Sequence, residues 1–210
     1  SKVGVVIGGG LLGLEAAKAL KDLVVETHIV EFASRLMAVQ LDDSAGRLLK
    51  KKIEALGATV HLQKSTKEIV AGTVRRQRLV FADGTFLETD TVIFSAGIRP
   101  RDELARPAGL VVGERGGIVV DPALETSDPA IHAIGESALV GGMIYGLVAP
   151  GYEMAEIAAA NLCGQSREFR GADMSTKLKL MGVDVASFGN AFADEKQSKS
   201  IVYEDPFKGS

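Results

Sequence analysis

An α/β fold built on a parallel sheet is predicted by three observations. The first 62 residues alternate strand, helix, strand, helix, strand. The first strand runs straight into the spacing G-x-G-x-x-G at Gly8, Gly10 and Gly13, which opens a helix. An apolar, β-branched run, Thr91–Ala96, follows a segment patterned as antiparallel strands. Together they describe a Rossmann-like parallel sheet with an antiparallel β-meander insertion.

Each element has a local reason. Lys2–Ile7 is almost continuously apolar, as a strand buried on both faces must be. Leu11–Leu20 switches to helical periodicity, and Val24–Phe32 reads as a strand. Asp42–Leu56 is amphipathic: Leu49, Ile53 and Leu56 share a stripe while Lys50, Lys51, Lys52 and Glu54 lie off it as a solvated face. Gly57 suits the helix end, and Ala58–Leu62 returns as a strand. Thr66–Ala71 and Thr73–Phe81 read as antiparallel strands. Ala82-Asp83-Gly84-Thr85 is a hairpin signal with Phe86–Thr89 as its return arm. Thr91–Ala96 is expected at the centre of the sheet. Beyond Arg101, Gly116–Asp121 and Ala130–Gly135 read as strands. Ala149–Leu162 reads as a helix with Pro150 in its first turn. From Met174, "TKLKLMGVDVASFGN" alternates as strands around Gly182, and the polar residues after it read as a ragged end.

Composition excludes several function classes. Of 210 residues, 46% are hydrophobic and 24% charged, and the net charge of −3 offers no basic field for nucleic acid. No apolar run approaches the roughly 20 residues of a membrane helix, and the chain opens on a strand rather than a signal peptide. Cys163 is the single cysteine. It excludes an internal disulfide and a C-x-x-C redox pair, and fits a reducing, cytoplasmic setting. His28, His61 and His132 have no metal-ligand spacing and read as packing or surface residues.

The glycine spacing gains weight from its context, since it also occurs in methyltransferases and by chance. Gly8 permits a tight turn, Gly10 lets a pyrophosphate approach the backbone, and Gly13 lets helix and strand pack closely. The helix N-terminus offers free N–H groups and a positive dipole end. Glu31 ends the second strand 18 residues after Gly13. An acid there accepts hydrogen bonds from an adenosine ribose and repels a 2′-phosphate, favouring NAD over NADP. Arg35, four residues on, can blunt that preference or be a surface cation. Glu15 reads either as a charge favouring the helix dipole or as a group near a nicotinamide.

Several further stretches occur in order: "VEFASRLM", "TVIFSAGIRPRDELA", "GGIVVDPALETSDPAIHAIGE", "IYGLVAPGYEMAE" and "GADMSTKLKLMGVDVASFG". With the glycine stretch they resemble the pyridine-nucleotide–disulfide oxidoreductase superfamily of two-dinucleotide flavoproteins. More narrowly, they resemble its NAD(P)H-dependent nitrite reductase large-subunit branch. The resemblance covers roughly residues 2 to 192. It implies an NAD-binding domain over residues 1–100, the returning half of an FAD-binding domain over 101–170, and the start of an α+β C-terminal domain over 171–210. The chain is then expected to be a fragment whose FAD site is incomplete. That partial segment is expected to expose an apolar face, with a homodimer as one outcome.

The resemblance also implies roles. Gly8, Gly10, Gly13 and Glu31 bind NAD, and Leu11 and Leu12 lend backbone N–H groups. Glu15 falls where related enzymes place a carboxylate near the nicotinamide. Ala96, Gly97 and Pro100 match the loop that closes over the NAD. Gly135 and Glu136 match the second FAD motif, where the superfamily usually has Asp and the nitrite reductase branch often has Glu. The helix near Pro150 points its positive end at the flavin. The implied activity is hydride transfer from NADH to FAD, with electrons continuing to iron–sulfur and siroheme centres elsewhere in the enzyme. Rubredoxin reductase, ferredoxin reductase and NADH oxidase types share the NAD and FAD motifs, but Met174–Gly189 favours the nitrite reductase branch. A non-catalytic NADH-sensing module stays open. The Gly97–Pro100 loop and Gly135-Glu136 argue against a methyltransferase.

Overall fold

Val3–Ile7 (β1) is the central organiser of a four-stranded parallel sheet. Val5 and Val6 point to opposite faces and are both fully buried, which explains the unbroken apolar run. The computed structural model describes residues 1–180, 182–189, 199, 201, 203 and 205. The chain forms two compact units, Ser1–Gly97 with Ser175–Ser210, and Ile98–Met174.

In the first unit, Leu11–Asp22 (α1), Glu26–Val30 (β2), Asp43–Ala55 (α2) and Ala58–His61 (β3) follow β1 in the expected alternation. Asp42 caps α2 by accepting the Ala45 N–H at 2.8 Å. Thr66–Ala71 (β4), Gln77–Phe81 (β5) and Phe86–Thr89 (β6) form the antiparallel meander, and Thr91–Phe94 (β7) returns to β1. The sheet order is β3-β2-β1-β7, with Gly4 opposite Thr91 and Ile7 opposite Phe94. The expected central position of Thr91–Ala96 is therefore corrected: β7 is an edge of this sheet, and β1 and β2 are interior. The expected strand Thr73–Phe81 is also shorter. It begins at Gln77, because Thr73–Arg75 are held in a turn by the Glu88 carboxylate.

Two cores flank the sheet. Val6 and Ile29 pack with Leu14 of α1 and Ile53 of α2. Val5 and Val30 pack on the other side with Leu79 and Phe81 of the meander. Thr176–Leu180 (β10) and Val183–Ser187 (β11) pair antiparallel around Gly182, as the sequence alternation predicts. Leu178 and Val183 join the α1–α2 core.

In the second unit, Ile118–Val120 (β8) pairs parallel with Ala138–Val140 (β9), and Val148–Leu162 (α3) follows. The strand expected at Ala130–Gly135 is not formed. Those residues make one isolated bridge, His132 to Glu125, and the Ile131 and Ala133 N–H groups go to Asp128 and Leu124 carbonyls. A turn and this short bridged pairing thus satisfy donors that a longer ladder would have used. Met154, buried Leu124 and the edge-to-face pair Tyr145–Phe169, with centroids 5.2 Å apart, fill this unit's core. Among the described residues no helix is long and apolar enough to cross a membrane.

Candidate functional site

The turn between β1 and α1 is shaped by what cannot fit into it. Gly8 has φ +117°, and a Cβ there would lie 2.1 Å from the Ser95 carbonyl oxygen. A Cβ at Gly13 would lie 1.9 Å from the Gly8 carbonyl oxygen. Strand, turn, helix and the end of β7 are thus in close backbone contact, which only glycine permits. Gly10 is different: a Cβ there would meet nothing within 4 Å. It is the N-cap of α1, no side chain caps the helix, and the first turn holds no acid. The N–H groups of Leu11 and Leu12 have no helical acceptor by position. An open glycine before an uncapped, unneutralised helix start fits a phosphate group.

Glu31 stands beside this turn. Its Oε2 accepts the Gly9 N–H at 2.6 Å and its Oε1 accepts the Ala33 N–H at 2.7 Å. Those bonds fix the carboxylate while each oxygen keeps acceptor capacity for a ligand. Ala96 and Gly97 follow β7 and are exposed, with Gly97 at φ +93°. Ser95 anchors them by donating its N–H to Ile7 at 2.8 Å. Glycine turn, Glu31 and the Ala96–Gly97 loop therefore gather at the carboxyl end of the parallel strands, where ligands bind in such sheets. A shallow depression bounded by Lys2, Arg75 and Asp90 lies at the opposite end of β1.

The structure gives Glu15 and Arg35 specific surroundings. Glu15 is not in the first turn of α1: with Gly10 as N-cap it is the fifth helical residue, and it is exposed. Arg35 is engaged within the protein: its guanidinium donates to the Leu41 carbonyl at 2.7 Å and the Ala38 carbonyl at 3.3 Å, and pairs with Asp43 at 2.8 Å.

In the second unit, Gly135 has φ +67° and opens a 3-10 turn, Gly135–Ser137, leading into β9. It does not end a strand, which corrects the sequence reading of that motif. The start of α3 lies against it: a Cβ at Gly151 would be 3.5 Å from the Gly135 Cα. No side chain caps α3, so its first N–H groups are open beside this turn. Glu136 is exposed. Pro100 lies against Gly116, whose Cβ would come within 3.5 Å of the proline ring.

Sequence reasoning missed Ser95 and Asp102. Ser95 crowds the turn, since a Cβ at Gly8 would lie 2.1 Å from its carbonyl oxygen and one at Gly13 would lie 3.6 Å from its Cβ; its signal was a small residue directly before Ala96-Gly97. Asp102 is buried, accepts the Gly117 N–H at 3.0 Å and faces Arg106. The paired glycines Gly116-Gly117 were its only trace. Among the described residues no cluster of three His, Cys, Asp or Glu side chains is placed to hold a metal ion.

A parallel sheet whose first strand feeds a glycine turn, an uncapped helix and an acid on the second strand defines a Rossmann-type α/β protein. The chain belongs to the pyridine nucleotide–disulphide oxidoreductase family, whose model matches residues 1–161. It is 63% identical over 188 residues to the large subunit of the NAD(P)H nitrite reductase of Klebsiella oxytoca, covering 90% of this chain and 20% of that protein. It is 53% identical over 209 residues to the NADH nitrite reductase large subunit of Escherichia coli K12, covering 99% of this chain and 25% of that protein. The NAD-dependent persulfide reductase of A. fulgidus superposes with a TM-score of 0.79 at 31% identity, over 86% of this chain and 34% of that one. The chain thus spans a quarter or less of the two nitrite reductase subunits. The family is one of enzymes that use NAD(P)H and FAD.

Proposed function

We propose that residues 1–97 hold the NADH of a nitrite reductase-type flavoprotein and present it for hydride transfer to FAD. The observation that carries this reading is the open Gly10 N-cap beside the fixed Glu31 carboxylate. Leu11 and Leu12 N–H groups would donate to the pyrophosphate, close to a backbone that Gly8 and Gly13 keep clear of side chains. Glu31 would accept from the adenosine ribose hydroxyls. Ala96 and Gly97 would border the nicotinamide half, with Glu15 the candidate carboxylate nearest the reacting end. In the second unit, Gly135, Glu136 and the uncapped start of α3 would contribute to holding FAD, the helix dipole favouring negative charge on it. When bound, the cofactors would supply hydride-transfer chemistry, and the residues named here would supply orientation and electrostatics. Downstream redox centres, a cytoplasmic setting and a homodimer belong to the same reading. The nitrite reductase assignment is favoured over other branches by identities of 63% and 53%, against 31% for the persulfide reductase.

Calorimetric titration with NADH, NADPH and FAD, each alone, tests this. NADH is expected to bind at least about tenfold tighter than NADPH, because a fixed carboxylate repels a 2′-phosphate. Glu31→Ala is expected to erase that ratio. Equal affinity of the unaltered chain for both nucleotides would overturn the role of Glu31.

A further inference from the structure

We infer that Arg35 is a positioning residue for the glycine turn, acting through the loop that follows it rather than by contact with the nucleotide. The inference rests on the proposal that this turn holds NADH. The Gly9 backbone is held at both its N–H and its carbonyl. Its N–H goes to Glu31 at 2.6 Å, and its carbonyl accepts the Met37 N–H at 2.9 Å. Leu36 closes over it, since a Cβ at Gly9 would lie 2.6 Å from a Leu36 methyl. Met37 reaches this position with φ 49°, a left-handed conformation unusual for its type, while fully buried. Such strain persists only where the surroundings over-determine it.

Arg35 supplies that determination. The loop folds back on itself, with the Gln40 and Leu41 N–H groups both donating to the Met37 carbonyl at 2.9 Å. The guanidinium then joins the carbonyls of Ala38 and Leu41 to Asp43 in the first turn of α2. Three acceptors in different directions suit the planar fork of arginine, whereas a lysine ammonium on its flexible stem is a compact point charge. The side chain is 21% exposed, so these charge-assisted bonds are partly shielded from water. The chain of contacts runs from Arg35 to the loop, from Met37 to Gly9, and from Gly9 to the phosphate end of the site. Holding that turn in its binding geometry lowers the ordering cost of association.

NADH separates this role from a direct one. It carries no 2′-phosphate, so a guanidinium that only reads that phosphate leaves NADH affinity unchanged. In Arg35→Met, NADH affinity measured by calorimetry is expected to fall roughly tenfold. Arg35→Lys should recover part of the loss. Asp43→Asn, which weakens one of the contacts named here, should give a smaller fall in the same direction. Amide exchange without nucleotide should show Gly9 and Met37 faster in Arg35→Met, with Val5 and Ile29 unchanged. NADH affinity within twofold of the unaltered chain in Arg35→Met and in Asp43→Asn would overturn the inference. So would exchange that is unchanged at Gly9 and Met37, or faster throughout β1 and β2. Absence of NADH binding by the unaltered chain would instead overturn the site reading, leaving the exchange arm to decide whether Arg35 holds the turn.

Discussion

The residues at positive φ divide by burial, and burial decides which of them the protein can improve. Val24, in the tight turn from α1 to β2, has φ 58° and is 93% exposed. A β-branched residue there bears the cost of left-handed backbone, about 1–2 kcal/mol, and buries almost nothing in return. Met37 and Leu124 also have positive φ, 49° and 68°, but are buried to 1% or less. For them, full burial contributes about 1.5–3 kcal/mol, comparable to or larger than the strain. Val24→Gly is therefore expected to stabilise the protein by about 1 kcal/mol, after the greater entropy of unfolded glycine is subtracted. Thermal denaturation should show a rise of roughly 2–4 °C. A lower Tm would mean that the turn is not the strained element the dihedral describes.

At the scale of elements, local chemistry was legible and long-range pairing was not. The helices, the Asp83–Gly84 hairpin and the β-α-β-α-β order follow from spacing, capping and periodicity within a few residues. The glycine turn and Glu31 were legible for the same reason. The edge position of β7 and the parallel pairing of β8 with β9 depend on partners far along the chain, and no local pattern encodes them. Ala130–Gly135 had an apolar run but only a one-bridge pairing with the segment around Glu125, so no strand formed. The carbonyl partners of Arg35 are invisible in a side-chain pattern. The shortened start of β5 has a side-chain cause that can be tested. Glu88 accepts the N–H groups of Thr73, Val74 and Arg75, the Thr73 hydroxyl and the Arg78 guanidinium. The Thr73 contacts, with Arg78, hold its carboxyl well below the usual carboxylate range. Glu88→Ala should speed amide exchange at Thr73, Val74 and Arg75 and open residues 72–76 to proteolysis, while β1 and β2 keep their protection. Unchanged exchange in that turn would show that it forms without the carboxylate.

Across the first unit, burial and hydrogen bonding tie folding to pH in two steps of the same sign. His61 on β3 stacks on His28 of β2 with ring centroids 5.3 Å apart. Burial lowers the His61 pKa below 6.5, helped by His28, Lys64 and Lys50 and opposed by Glu54. The unfolded chain therefore takes up this proton more readily than the folded one. The stabilisation is complete well above pH 6.5 and is lost as pH falls below it toward the lowered folded value. Asp83, Glu88 and Asp90 have folded pKa values depressed by hydrogen bonds, chiefly from Lys64, Thr73 and the Lys2 N–H respectively. Their stabilisation holds above the ordinary carboxylate range near pH 4 and is lost below it. Urea denaturation from pH 8 to pH 3, followed by exchange at Val5 and Ile29, should thus show one decline beginning near 6.5 and another beginning near 4. His61→Gln should flatten the first and leave the second. If the first decline survives that substitution, the proton responsible binds elsewhere in the unit.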